Sequence, residues 1–164
     1  MKKTAEADPQ RIIRHRAMDL LARREHSTHE LHTKLVEKFP EHAPLVAPVL
    51  AGLTRDNLQS DRRFAESYIR ALINRGQGPY RIRLALQQRG IDPSLAEQAI
   101  ADCGEDWFEL AVQVVLKKYP GQSCTDFAER ARRSRFLQYR GFSADQIRAC
   151  FTESGEVDRR KGDD

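Results

Sequence analysis

The feature that most limits the fold is a repeat with a period of 51 residues. Leu35, Leu86 and Leu137 are spaced by that interval, and so are Lys38, Arg89 and Arg140, and Leu45, Ala96 and Ile147. Gly90 and Gly141 match each other, while Phe39 stands at that place in the first copy. A period of this length is a supersecondary unit that cannot bury its apolar side alone and must stack on its neighbours.

Each copy reads as three helices. The first helices are expected near 11–24, 60–75 and 106–118. In the second of these, Phe64, Ala65, Tyr68, Ile69 and Leu72 recur along one helical stripe. The second helices are expected near 27–39, 78–89 and 124–139. Leu31, Leu35 and Phe39 form one apolar face, and Ile82 and Leu86 form the matching one. The third helices are expected near 44–54, 93–103 and 144–151. Ser27 with Glu30 and Ser143 with Gln146 have the spacing of capping boxes, in which each side chain covers an orphan backbone donor. Asp92-Pro93 is an N-cap followed by proline in the first turn, and Pro79 fits the first helical position. Pro44 and Pro48 cannot both lie in a regular helix interior, so that helix should start late or kink. Gly90 and Gly141 follow helices that end in arginine, the setting of a left-handed cap with a cation at the negative helix end.

Strand signals are missing from the sequence: it has neither an Asn-Gly hairpin nor a long β-branched alternation. The expected fold is all-α, three tandem three-helix repeats over 11–54, 55–104 and 105–153. Linkers are expected near 54–59 and 104–106, with polar tails at 1–10 and 154–164.

Charge adds a second constraint. The 164 residues carry 28 Lys and Arg against 24 Asp and Glu, and seven of the basic residues are lysine, leaving 21 arginines. Arginine presents a planar fork that grips carboxylates and phosphates in bidentate fashion. Segment 55–90 has eight arginines against three acids, and segment 130–148 has six against one. Between them, 92–109 carries six acids and no Lys or Arg. A single arginine is ordinarily a solvated residue in a weak surface pair. The recurrence of the excess at second helices that the repeat makes equivalent favours an arginine-lined face for nucleic acid or an acidic protein surface. Phe64 and Phe142 read as core. Tyr80 and Tyr139 suit either core or interface, since interfaces favour tyrosine.

Signatures of chemistry are weak. His26, His29 and His32 are spaced by three, but there is no H-E-x-x-H order, so a solvated face is the expectation rather than a metal site. Gly76-Gln77-Gly78 could present amides to an anion, yet no G-K-[ST] follows, and a helix-to-helix turn is expected. Asp56, Asp61 and Glu66 do not have the spacing of a two-metal cluster. The three cysteines, Cys103, Cys124 and Cys150, are scattered, which fits a reduced compartment without disulfides. No apolar run is long enough to span a bilayer, and MKKTAEADPQ lacks the apolar stretch of a signal peptide. The expectations are a cytoplasmic, non-enzymatic monomer without catalytic, cofactor or metal residues.

Three blocks together resemble the RecX regulatory family: LARREHSTHEL from Leu21, SDRRFAESYIRALINRGQGPYRIRLALQQRGI from Ser60, and RARRSRFLQYRGFSADQI from Arg130. The resemblance covers roughly 11–153. Its most specific pieces are R-F-A, G-x-G-P-x-R-I and R-G-I in the middle block and R-F-L-x-x-R-G-F in the last. It implies tandem three-helix repeats in an elongated, curved molecule. It also implies binding to the RecA recombinase and to the groove of RecA–single-stranded DNA filaments, with inhibition of filament extension, ATP hydrolysis, strand exchange and coprotease activity, and no cofactor. Direct contact with DNA is the alternative. The candidate contacts are Arg63, Arg70, Arg75, Arg81, Arg83, Arg89, Arg132, Arg133, Arg135 and Arg140. Phe64, Gly76, Gly78, Pro79, Gly90, Gly141 and Phe142 are motif residues with structural roles. The sequence departs from the family at Ala85, often acidic, and at Phe39, often glycine, which puts the first helix-end cap in question.

Overall fold

Side-chain caps start most of the α-helices of the computed structural model, which describes residues 8–121, 124 and 126–151. Helix α1 (Pro9–Leu21) begins at Asp8, whose Oδ1 accepts from the Gln10 amide at 3.0 Å. Asp8-Pro9 is the same signal as Asp92-Pro93, and it brings residues 9 and 10, expected in a tail, into the helix. The rest of that tail, and the segment 154–164, lie outside the described residues. Helix α2 (Thr28–Lys38) is capped by Ser27, whose Oγ accepts from the Glu30 amide at 3.1 Å. The reciprocal half of the expected box gives way to ion pairing, because the Glu30 carboxylate meets Arg24 and Arg89.

At Phe39 the backbone has φ −129°, and the chain enters a 3-10 turn at Pro40–His42 rather than a left-handed cap. Helix α3 (Ala43–Arg55) then starts at once, against the expectation of a late start. Pro44 sits in the first turn, where no intrahelical donor is needed, so only Pro48 is interior. Helix α4 (Asp61–Asn74) starts after Ser60, whose Oγ accepts from the Arg63 amide at 3.2 Å. Helix α5 (Pro79–Gln88) has Pro79 at its first position, and α6 (Pro93–Asp102) is capped by Asp92 Oδ1, which accepts from the Ser94 and Leu95 amides. Helix α7 (Trp107–Lys118) is capped by Asp106, and α8 (Phe127–Arg140) by Asp126. The α8 start is three residues later than expected because Asp126, accepting from the Ala128 amide, sets it. Helix α9 (Ala144–Ala149) carries the complete Ser143–Gln146 capping box. Among the described residues there are nine α-helices and no strand: the fold is all-α, built of three-helix repeats.

The repeat is visible in burial and in hydrogen bonds. Leu35, Leu86 and Leu137 are each fully buried. At the end of α5, the Gly90 amide donates to Gln87 O and Ile91 to Leu86 O; at the end of α8, Gly141 donates to Gln138 O and Phe142 to Leu137 O. Both glycines have positive φ, 72° and 93°, which costs an L side chain roughly 1–2 kcal/mol. Phe64 and Phe142 are buried, as expected of core.

The chain divides into two compact units, Met1–Ser67 with Leu86–Ala96 and Tyr68–Ala85 with Glu97–Asp164. The boundary falls inside the middle triplet of helices. In the first unit α1, α2 and α3 pack on one another around Ile13, Ala17, Leu31, Leu35, Val46, Leu50 and Leu53. In the second, α7, α8 and α9 pack around Leu110, Ala111, Val115, Leu137, Phe142 and Cys150.

Candidate interaction surface

Each unit contains one joint, and the two joints obey the repeat. In the first unit Ser27 Oγ, at the start of α2, donates to the carbonyl of Arg89, just past α5, at 2.7 Å. In the second unit the Gly78 amide, at the start of α5, donates to the carbonyl of Arg140, at the end of α8, at 2.7 Å. Ser27 and Gly78, like Arg89 and Arg140, are 51 residues apart. The Tyr80 amide adds a bond to Gly141 O at 3.1 Å. The Gly78 amide is therefore occupied by a carbonyl, and the Gly76-Gln77-Gly78 segment is the turn that was expected.

The joints engage part of the arginine set. Arg89 Nη1 donates to Glu30 Oε1 at 2.8 Å while Arg24 Nη1 donates to Glu30 Oε2 at 3.0 Å. Burial alone would raise the Glu30 pKa, but the Arg24 hydrogen bond and the charges of Arg24 and Arg89 outweigh it and hold the carboxyl below its usual value. Arg63 clamps a corner of the first unit, donating to Glu25 at 2.9 Å and to Asn57 Oδ1 at 2.8 Å. In the second unit Arg140 Nη1 donates to the Arg75 carbonyl at 2.6 Å, and its guanidinium lies 5.2 Å from the centre of the Phe136 ring. Arg83 pairs with Glu97, whose carboxyl is held below its usual value chiefly by that hydrogen bond.

Helix α8 separates its arginines by face. Arg133 is 1% exposed, donates to Glu129 Oε1 at 2.8 Å and lies 4.8 Å from the Tyr119 ring centre. It sits one turn before Leu137, on the buried stripe, so it is interior and not a surface group. Arg132 also reaches Glu129, at 2.8 Å. Hydrogen bonds from Arg133 and then Arg132 hold the Glu129 carboxyl below its usual value. Arg135 lies on the opposite, exposed face.

Four of the ten candidates carry no ion pair or side-chain hydrogen bond among the described residues. Arg70 and Arg75 are exposed at the second half and end of α4, and Arg135 is exposed on α8. Arg81 on α5 faces no carboxylate either, but its guanidinium stacks 4.9 Å from the centre of the Tyr139 ring. All four lie in the second unit.

Two groups were under-read in the sequence. Tyr80 and Tyr139, left open between core and interface, are 64% and 70% exposed. Lys117 and Lys118, in the last turn of α7, join Arg75 and Arg140 around an open cleft of about 680 Å³ in the second unit. A lysine pair in a last helical turn is an ordinary dipole signal, which hid its place beside the arginines. The histidines also differ from expectation: His26 is buried, with Nδ1 3.1 Å from Arg24 O, rather than solvated. The acids read against a metal cluster have separate roles. Asp56 pairs with Arg14, Glu66 pairs with Arg62, and Asp61 accepts from Thr28 and Gln59. No helix among the described residues is long and apolar enough to cross a membrane.

All-helical three-helix repeats, with exposed tyrosines on one unit beside arginines that have no carboxylate partner among the described residues, define a helical repeat protein. Three family models match it in order: the RecX first three-helix domain over residues 14–43, the second over 60–100 and the third over 104–151. The chain belongs to the RecX family of regulatory proteins. It is 40% identical over 149 residues to the regulatory protein RecX of Halorhodospira halophila, covering 90% of this chain and 91% of that one. It is 40% identical over 157 residues to that of Pseudomonas fluorescens, covering 94% and 99%. The crystal structure of RecX from Lactobacillus salivarius superposes with a TM-score of 0.73 at 26% identity, over 87% of this chain and 94% of that one.

Proposed function

We propose that this protein binds the RecA recombinase and RecA–single-stranded DNA filaments. On this reading it inhibits filament extension, ATP hydrolysis, strand exchange and coprotease activity, and so modulates recombination and the SOS response. It acts in the cytoplasm as a monomer, by occupancy rather than by catalysis, through the repeats 11–54, 55–104 and 105–153.

The observation that supports this reading is the sorting of the arginines within a RecX-family chain. Arg63, Arg83, Arg89, Arg132, Arg133 and Arg140 make hydrogen bonds within the structure, whereas Arg70, Arg75, Arg81 and Arg135 have no carboxylate partner among the described residues. Unpaired guanidiniums attract acidic protein surface or phosphate, and such charge steers association.

The test is RecA-catalysed ATP hydrolysis on single-stranded DNA with and without this protein. Inhibition at stoichiometric amounts is expected. Hydrolysis that continues at the uninhibited rate with the protein in excess rejects the reading.

A further inference from the structure

Arg70, Arg75, Arg81 and Arg135, without a carboxylate partner among the described residues, suit either an acidic protein surface or phosphate. We propose that Arg81 on α5 with Arg135 and Tyr139 on α8, flanked by the exposed Tyr80 at the start of α5, form a stacking platform for the bases of single-stranded DNA. The proposal deepens the regulatory reading and rests on its assignment of Arg81 and Arg135 as contacts.

The platform is built by the second joint. The Gly78–Arg140 and Tyr80–Gly141 backbone bonds bring the first turn of α5 to the end of α8. Arg81 is thereby laid over Tyr139 at 4.9 Å. Arg135 precedes Tyr139 by four residues, so the two share a helical face. That face is opposite the buried Arg133 and Leu137. Tyr80 follows directly on the proline that opens α5.

Charge alone would serve an acidic protein as well as a phosphate chain. The rings decide between them. Tyr80 and Tyr139 are among the most exposed large hydrophobic side chains of the described residues, at 64% and 70%. Two exposed rings, with Arg81 stacked on Tyr139 and Arg135 one turn before it, match the needs of a single strand: each base offers a π-face, and each phosphate takes an arginine fork. A duplex offers phosphates but keeps its bases stacked, so the rings would add nothing to its binding. The arrangement therefore favours strand over duplex and is tolerant of base sequence.

The test uses the full chain, a fluorescently labelled oligothymidylate and a mixed-sequence duplex, with binding read by anisotropy over a salt series. Tyr80→Leu combined with Tyr139→Leu should weaken oligothymidylate binding by about tenfold or more, with the salt slope and the duplex affinity unchanged. Arg81→Gln combined with Arg135→Gln should flatten the log–log salt slope by roughly 0.7 for each arginine removed. Tyr80→Phe combined with Tyr139→Phe keeps the rings and should bind as the parent does, and helicity measured by circular dichroism should be equal in all variants. Three results would overturn the proposal: a parent protein that does not bind the oligonucleotide at low salt, a leucine variant that binds it undiminished, or an equal loss on strand and duplex. RecA ATPase inhibition is measured on the same preparations. Inhibition lost by the leucine variant with strand affinity intact would place the tyrosines against protein, overturning the platform and leaving the regulatory reading standing. A parent that binds the strand through its tyrosines but does not inhibit RecA would support the platform and reject the regulatory reading.

Discussion

The amide of Gly78 donates to the carbonyl of Arg140 at 2.7 Å, and with the Tyr80–Gly141 bond it holds the start of α5 against the end of α8. A β-carbon on Gly78 would come within 2.5 Å of Gly141 O and 2.7 Å of the Phe142 nitrogen. Both are backbone atoms that cannot swing aside.

Gly78→Ala is therefore expected to destabilise the protein by about 2 kcal/mol or more, because overlap with backbone must be relieved by moving a helix. Gln77→Ala, one residue earlier, should stay within about 0.5 kcal/mol of the parent. Urea unfolding followed by circular dichroism checks both. Equal midpoints for the two variants would show that the joint tolerates a methyl group.

A second expectation concerns acid. Burial is the main cause that lowers the His26 pKa from 6.5, and the charges of Arg24 and Lys34 lower it further, against the opposing hydrogen bond to Arg24 O. The unfolded chain thus takes up the proton first, and stability falls as pH drops below 6.5. Glu30, Glu97 and Glu129 are each lowered from 4.5, so the stability they contribute is present above 4.5 and is lost as pH falls through their folded values. Urea midpoints across this range should show two successive declines, the first beginning near 6.5. His26→Gln should remove the first decline and leave the second. A curve that stays flat from 6.5 down to 4.5 would contradict the assignment.

The thiols differ by place. Burial, with a smaller effect from the nearby Glu109 charge, pushes the Cys150 thiol up to about 12, so almost none is thiolate at neutral pH. Cys124 is buried as well, whereas Cys103 is half-buried at the end of α6. Native protein should release one equivalent of thiol to an aromatic disulfide reagent in a fast phase, from Cys103, and the other two only on unfolding. Mass mapping of the modified residue identifies it. A fast reaction at Cys150 would show that this core opens readily.

Much of this was legible from spacing. The period of 51 placed Leu35, Leu86 and Leu137 in equivalent buried sites, and the glycines after Arg89 and Arg140 turned as their position required. What spacing could not show was competition for partners. Glu30 has the sequence of a capping-box acid, but its carboxylate pairs instead with Arg24, just before α2, and with Arg89, from past the end of α5. Pro44 and Pro48 read together as breakers, yet Pro44 lies in the first turn of α3, where no donor is missed, and only Pro48 is interior. Arg133 sits in a run of arginines that looks uniformly solvated. Its place one turn before Leu137 was the available signal that it belongs to the buried stripe.

That contrast sets the last expectation. Arg133 and Arg135 are two residues apart on α8, yet one is interior and the other has no carboxylate partner among the described residues. Arg133→Ala removes a packed guanidinium from the Tyr119 ring and from Glu129, and should lower Tm by on the order of 5–10 °C. Arg135→Ala touches only solvent and should change Tm by about 1 °C or less. Their effects on RecA inhibition should run the other way. At a temperature where both are folded, Arg133→Ala should inhibit RecA ATP hydrolysis nearly as the parent does. Arg135→Glu combined with Arg81→Glu should need at least about tenfold more protein for the same inhibition, since two steering charges are reversed at one contact. Calorimetry and titration of the ATPase give the two numbers for each variant. If Arg133→Ala lost inhibition while fully folded and the double reversal kept it, the sorting of these arginines into structural and contact groups would be inverted.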